Sequence, residues 1–381
     1  MMDDRTDEVQ TGTTQIHNIL VIGGYGNFGQ LICKALAQDA NIRLLVGGRD
    51  GARATAFAAS LGSAQACGIS IDAQAPDLAE QLQALHVDTL IQTAGPFQGQ
   101  NYAVAEACIT ARCNYIDLAD ARSFVAGIAA LDARARAAGV LVTSGASSVP
   151  ALTSAIVDHL LPEFSELFEI RHGISAGGHT PGLATMSGVL GYCGKPIQRL
   201  ENGRWVISYG WQDLHRYPYA APVGGRWLGS CDVPDLEIFP QRYAGVQSVV
   251  FHAGVGNPVS HLATWVLAGV VRMGLLNSLA PLAPIFMSVN RWLEPLSPVV
   301  SAVHAELRGL NHDGKPHCKI WQLIAFDNHG PHIPCGAAIA LARKFADGNM
   351  PVKGATPCVG LLTLEEYLGA LAHLNLKRVV M

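Results

Sequence analysis

The sequence predicts an α/β protein: a doubly wound parallel sheet, then an inserted α+β second domain, then a C-terminal helical segment returning to the first domain. Three observations carry this. Short apolar runs alternate with helical patterns as far as Pro162, a glycine-rich turn joins the first run to the first helix, and beyond Pro162 the alternation stops.

Taken in order, the strand-like runs are NILVIGG (18–24), IRLLVGG (42–48), ACGISID (66–72), TLIQTAG (89–95), NYIDLA (114–119) and VLVTSGA (140–146). Near-continuous apolar runs of this length suit strands buried on both faces. Phe28, Leu31, Ile32 and Leu36 fall at helical spacing after the first, NYAVAEACITAR follows the fourth and FVAGIAALDARARAAG the fifth. Repeated β–α units make a doubly wound sheet, whose ligands bind beyond the carboxyl ends of the strands. After Pro162 come LFEIRHGISAG, RWVISYG, QSVVFHAG, AVHAELRGL and HCKIWQLIAF, with no regular helix between them; NHDGK at 311–315 reads as a hairpin turn between the last two. IPCGAAIALARKFADG and LTLEEYLGALAHL are helical again. The expected division is a loose tail over 1–16, a first domain over 17–161, a second over 162–330 carrying substrate and dimer contacts, and a returning segment over 331–381.

Composition narrows the class. Charged residues are 15% of the 381, the net charge is -4, and no basic run exists, which argues against nucleic acid as a partner on electrostatic grounds. The nine scattered cysteines have no CxxC spacing, which speaks for reduced thiols, a cytoplasmic setting and no zinc knuckle. The polar, acidic N-terminus lacks the basic-then-apolar order of a secretory signal. From Leu262 to Val289 the only formal charge is Arg272. That length would cross a bilayer, but Pro281 and Pro284 interrupt it. A buried helical pair is expected, with an oligomer interface as one way to bury it and contact with a membrane surface as the alternative.

Gly24-Tyr25-Gly26-Asn27-Phe28-Gly29 has G-x-G-x-x-G spacing between a strand and a helix. The first glycine is read as making the tight turn, the second as admitting a pyrophosphate, and the third as letting helix and strand pack closely. The helix N-terminus then offers N–H groups to the anion. The second run ends at Arg49, followed by Asp50 and, one turn on, Arg53. An acidic residue here would bind a ribose 2′-hydroxyl, and arginines suit a 2′-phosphate, so NADP is favoured with NAD as the alternative. In the other reading Asp50 caps the next helix and Arg53 is solvated. Thr93-Ala94-Gly95-Pro96-Phe97 ends the fourth run, where the nicotinamide half of a dinucleotide passes. Asp117 and Asp120 reach the same rim, one of them a candidate cap; Ser144, Ser147 and Ser148 could bind ligand or cap the next helix.

GGYGNFG, the GGR after the second run, TAGPF with its following helix, and NYIDLAD, in that order, resemble the saccharopine dehydrogenase-like oxidoreductases. The resemblance is sharp over 17–150 and looser beyond. It implies an NADP-type Rossmann domain, an inserted domain for substrate and dimer contacts, and hydride transfer to an imine, carbonyl or carbon–carbon double bond. It carries over to Gly24, Gly26, Gly29 and Arg49, and to Thr93–Phe97. Where amino-acid-handling members tend to carry Asp-Pro-Gly, this chain reads Ser148-Val149-Pro150-Ala151, which argues against saccharopine as substrate.

Catalytic candidates are Asp120, His172, His215 and Tyr217, with Tyr209 and His179 considered beside them. Histidine suits proton transfer because its ordinary pKa lies near 6.5. The aromatic-rich stretch 205–227 is either a pocket wall or ordinary sheet packing. His312, His317, His329 and His332 match no metal spacing, and none is assigned. The expectation is an NAD(P)-dependent oxidoreductase, acting on a partly apolar organic substrate as a homodimer. The alternative is a non-catalytic NADP(H)-binding sensor acting through partners.

Overall fold

The computed structural model describes residues 16–178, 182–350 and 352–381. The first domain runs β1 (His17–Ile22), α1 (Asn27–Leu36), β2 (Ile42–Gly48), α2 (Gly51–Ser60), β3 (Ala66–Ser70), α3 (Leu78–Ala84) and β4 (Thr89–Gln92). It continues with α4 (Ala103–Ala111), β5 (Asn114–Asp117), α5 (Arg122–Gly127), α6 (Asp132–Ala138), β6 (Leu141–Ser144) and α7 (Thr153–Leu160). The six strands lie in the order β6-β5-β4-β1-β2-β3, all parallel, which is the doubly wound arrangement of dinucleotide-binding domains. Alternation along β1 shows why the run is apolar throughout. Ile19 and Val21 enter one core and Leu20 and Ile22 the other, so both faces are covered. Several strands stop two to three residues before the apolar pattern does, because the chain there turns into loops at the strand ends.

The second domain is β7 (Glu166–Ser175), α8 (Leu183–Tyr192), β8 (Pro196–Glu201), β9 (Arg204–Tyr209), β10 (His215–Pro218), β11 (Gly225–Ser230) and α9 (Asp235–Arg242). It goes on through β12 (Ser248–Gly254), α10 (Pro258–Arg272), α11 (Ala283–Leu293), β13 (Ser301–Leu310) and β14 (Pro316–Ala325). Its sheet is mixed rather than antiparallel, since β12 pairs parallel with β7. The 311–315 turn does close the β13–β14 hairpin.

The C-terminal segment is more than helical. α12 (Gly336–Ala346) packs against α1 and β1 of the first domain. β15 (Gly354–Pro357) then adds a seventh parallel strand beside β6. After α13 (Leu364–Gly369), whose Thr363–Glu366 capping box fixes its start, β16 (Leu376–Val380) joins the second sheet beside β14. The segment therefore laces the two sheets together over one continuous core that includes Ile19, Phe239, Trp321 and Tyr367.

Within the single chain, 262–289 is buried only in part. α10 buries His261, Thr264, Ala268 and Val271 on one face, while Val266, Met273, Ile285 and Val289 are exposed. The apolar character of the stretch serves both faces of these helices, and periodicity alone could not reveal that.

Candidate functional site

The strand ends of the first sheet build the site from the glycine turn outward. Gly23, with φ +78°, turns the chain after β1, and Gly26 N–H donates to its carbonyl at 2.8 Å. The tight turn thus belongs to Gly23, where the sequence reading gave it to Gly24. Gly24 is needed for a different reason: a Cβ there would lie 2.8 Å from Val46 and 2.9 Å from the Val21 carbonyl. Gly29 is tighter still, its Cβ falling 2.1 Å from the Gly23 oxygen, so helix and turn meet backbone to backbone. Gly26 caps α1 with no side chain on the first-turn N–H groups, and no acidic residue stands in that turn. An uncapped helix start facing a glycine turn is a site for a phosphate anion. Asn27 is exposed beside it, and Phe28 turns inward onto the core.

At the end of β2 the Tyr25 ring lies on Gly48, where a Cβ would come within 2.4 Å of the ring. The Tyr25 hydroxyl accepts Asp50 N–H at 3.1 Å, and the Arg53 guanidinium lies over the ring at 4.8 Å. The Asp50 carboxylate accepts Arg53 N–H at 3.0 Å as the cap of α2, which occupies it with the backbone. Arg49 is exposed, and neither it nor Arg53 meets a carboxylate among the described residues. Two arginines without acidic partners, beside an acid committed to a helix cap, are a set of donors suited to a 2′-phosphate.

Thr93 turns its hydroxyl back onto the carbonyls of Ile22 and Gly23 at 3.0 and 3.2 Å, locking the end of β4 to the glycine turn. Ala94, Gly95 and Pro96 continue along the rim, and Phe97 drops into a small core with Phe124 and Val125. Asp117 is fully buried and caps neither α5 nor any other helix. Its Oδ1 accepts from Gly145 N–H, Ala119 N–H and the Ser144 hydroxyl, each at 2.9 Å, tying β5 to the loop after β6. Burial pushes its carboxyl up to about 6, against the pull of those donors. Ser147 and Ser148 are buried, and Ser147 heads the following turn without capping it.

Asp120 is half-buried at the same rim. Burial raises its carboxyl above the usual carboxylate range, opposed in part by Gln98, whose Nε2 donates to Oδ1 at 3.3 Å. The second domain covers this rim with α8. Gly182, just before it, lies against Asn27, Ala184 faces Gly95, and Gly188 lies over Gln98. α8 ends at Tyr192, whose hydroxyl meets Cys231 Sγ at 2.8 Å; burial holds both groups well above their ordinary pKa, and the Asp120 charge adds to this. Beside them Arg122 joins the domains, donating to Glu237 at 3.1 Å, Asp232 at 3.4 Å and the Gln198 carbonyl at 2.7 Å. Gln98, Tyr192 and Cys231 escaped the sequence reading. Met186, Leu190 and Cys193 at i, i+4 and i+7 were the available signal for α8.

The other catalytic candidates fall elsewhere. His172 is wholly buried on the inner face of the second sheet, with Nε2 3.0 Å from Asp235, which also accepts from Thr153; Phe239 and Phe251 pack on its ring. Side chains alternate along a strand, and the next residue, Gly173, faces His304 on the opposite side. Tyr217 stacks on that His304 at 3.7 Å, and His215 meets His252 at 4.3 Å, so both stand on the face of the sheet opposite His172. Tyr209 lies under Arg272, with the guanidinium 4.1 Å over its ring. His179 lies outside the described residues. Among the described residues no group of three His, Cys, Asp or Glu side chains is placed to hold a metal ion.

A glycine turn, an uncapped helix and unpaired arginines at the ends of a parallel sheet define an NADP-binding Rossmann domain. Residues 19–143 match the family model for the saccharopine dehydrogenase NADP binding domain. The fold likeness extends further. The saccharopine dehydrogenase (L-Glu forming) of Saccharomyces cerevisiae superposes with a TM-score of 0.68 at 13% identity, over 96% of this chain and 100% of that one. An amine dehydrogenase from Mycobacterium smegmatis (TM-score 0.44, 11% identity, 92% and 95% covered) is more distant. So is a meso-dapdh mutant from Clostridium tetani (TM-score 0.41, 13% identity, 92% and 95% covered). No curated protein sequence matches.

Proposed function

We propose that the chain is an NADP(H)-dependent oxidoreductase whose substrate enters between α8 and the strand ends of the first sheet, with a C=N, C=O or C=C as the reacting group. The observation that carries this reading is the glycine turn and uncapped α1 beside Arg49 and Arg53, two exposed arginines that no carboxylate pairs. NADP(H) would supply the hydride. Gly24–Gly29 would hold its pyrophosphate, Arg49 and Arg53 its 2′-phosphate, and Thr93–Phe97 its nicotinamide end. The chain's own work is to bind, to exclude water and to move a proton. A carbonyl or imine that accepts a hydride at carbon needs one proton at oxygen or nitrogen. Asp120, half-buried and raised in pKa by that burial, keeps a proton to higher pH than a solvated carboxyl and is the donor. A titratable group at this rim favours catalysis over a purely sensing role.

The test is NADPH consumption by the purified chain against panels of apolar ketones, conjugated enals and amine–carbonyl pairs. Turnover with any one class supports the proposal, and retained NADPH binding with no turnover of any class favours the sensor.

A further inference from the structure

We propose that the outer face of α10 and α11 docks the protein on an anionic lipid surface. A soluble helix ordinarily presents a polar face to solvent, and these two place large apolar side chains there as well. On α10 the inward residues are His261, Thr264, Ala268 and Val271, two of them polar, while Val266 and, at its end, Met273 are exposed. On α11 the outward stripe is Ile285, Val289, Trp292 and, just past its end, Leu296, at helical spacings of four, three and four; Trp292 and Leu296 are each 77% exposed. Leu275 and Leu276 in the connection are exposed as well, and apolar side chains gathered in this way on a surface mark an interaction site.

Charge selects the occupant. From Tyr243 to Leu293 the chain has no acidic residue, although it carries 30 of them in all and its net charge is -4. The charges within that stretch are Arg272 and Arg291, both exposed. An apolar stripe carrying an exposed tryptophan, with arginines at its margin, matches the headgroup boundary of an anionic bilayer. A second copy fits less well, because a two-fold pairing would bring together both copies' arginines from a stretch of chain that carries no acid of its own. Among the described residues no helix is long and apolar enough to cross a membrane, so the helices would lie in the interface plane. The same helices pack behind α8, the element that covers the candidate site, so docking would set that site close to the lipid surface.

The experiment is vesicle flotation of the full chain with phosphatidylcholine alone and with phosphatidylserine added. Wild type is expected to float with the phosphatidylserine vesicles, Trp292→Glu/Leu296→Glu to lose at least about tenfold of that binding with an unchanged melting curve, and Arg291→Gln to lose the preference for phosphatidylserine. Val266→Glu on α10 repeats the test should the double variant misfold. Failure of wild type to float, or flotation that the glutamate variants leave intact, overturns the proposal. So does a wild-type dimer in light scattering that the same variants convert to monomer, which would assign the face to a second copy.

Discussion

The guanidinium of Arg53 lies 4.8 Å over the ring of Tyr25, and the Tyr25 ring in turn lies on Gly48, so a cation is held at the end of β2 before any phosphate arrives. An arginine already placed loses less freedom on binding. Arg53→Ala is expected to weaken NADPH binding by about tenfold, roughly 1.4 kcal/mol, with a smaller effect on NADH. Titration calorimetry with both cofactors checks it.

Asp120 is the residue on which catalysis turns in this account. Asp120→Asn should lower kcat by about a hundredfold and leave the NADPH Kd unchanged. In the reducing direction the acid must be protonated, so wild-type kcat should fall as pH rises through the raised Asp120 pKa, and the variant should lack that limb. An equal loss in NADPH affinity would assign Asp120 to binding instead.

His172 is predicted to stabilise and not to react. His172→Ala leaves the buried Asp235 with Thr153 as its remaining side-chain partner among the described residues and opens space between Phe239 and Phe251. A cost of about 3 kcal/mol in urea unfolding is expected, with kcat per folded molecule unchanged.

Asp117 gives a pH-dependent stability of known sign. Its folded pKa of about 6 is raised above the unfolded value near 4, so between those pH values the folded chain binds more protons than the unfolded chain. Stability from this group is therefore present at low pH and falls as pH rises through the window, by about 3 kcal/mol. Asp117→Asn lacks this titration. The wild-type-minus-variant difference in unfolding free energy should thus drop between pH 4 and 7, and a constant difference would contradict the assignment.

How much of this the sequence could show depends on what each residue's neighbours decide. Strands β1 to β6 were legible because burial on both faces demands continuous apolar runs, and Ile19 to Ile22 answer to both cores. β15 was not: Gly354-Ala355-Thr356-Pro357 has no pattern of its own and is a strand only because β6 offers it an edge. The glycine loop was legible as a motif, although the left-handed turn lay one residue earlier than expected, at Gly23. His172, His215 and Tyr217 read alike as polar residues near strands. Only the pairing of β7 with β12 and β13 puts the first on one face of the sheet and the other two on the opposite face. Likewise Gln98 reaches Asp120, and domain packing brings Tyr192 and Cys231 within the influence of the Asp120 charge, which no local spacing encodes.

Selection of a phosphorylated dinucleotide by Arg49, at the end of β2, is the step we propose on which cofactor choice depends. It is tested by melting wild type and Arg49→Ala with NADP+, NADPH, NAD+ and NADH at equal concentration. A ligand bound only by the folded state adds about 2.7 kcal/mol at a hundredfold excess over Kd. Stabilisation of wild type by the NADP pair above the NAD pair is expected, with loss of that difference in Arg49→Ala. No shift with any of the four, or a preference for NAD that the variant leaves unchanged, would contradict it.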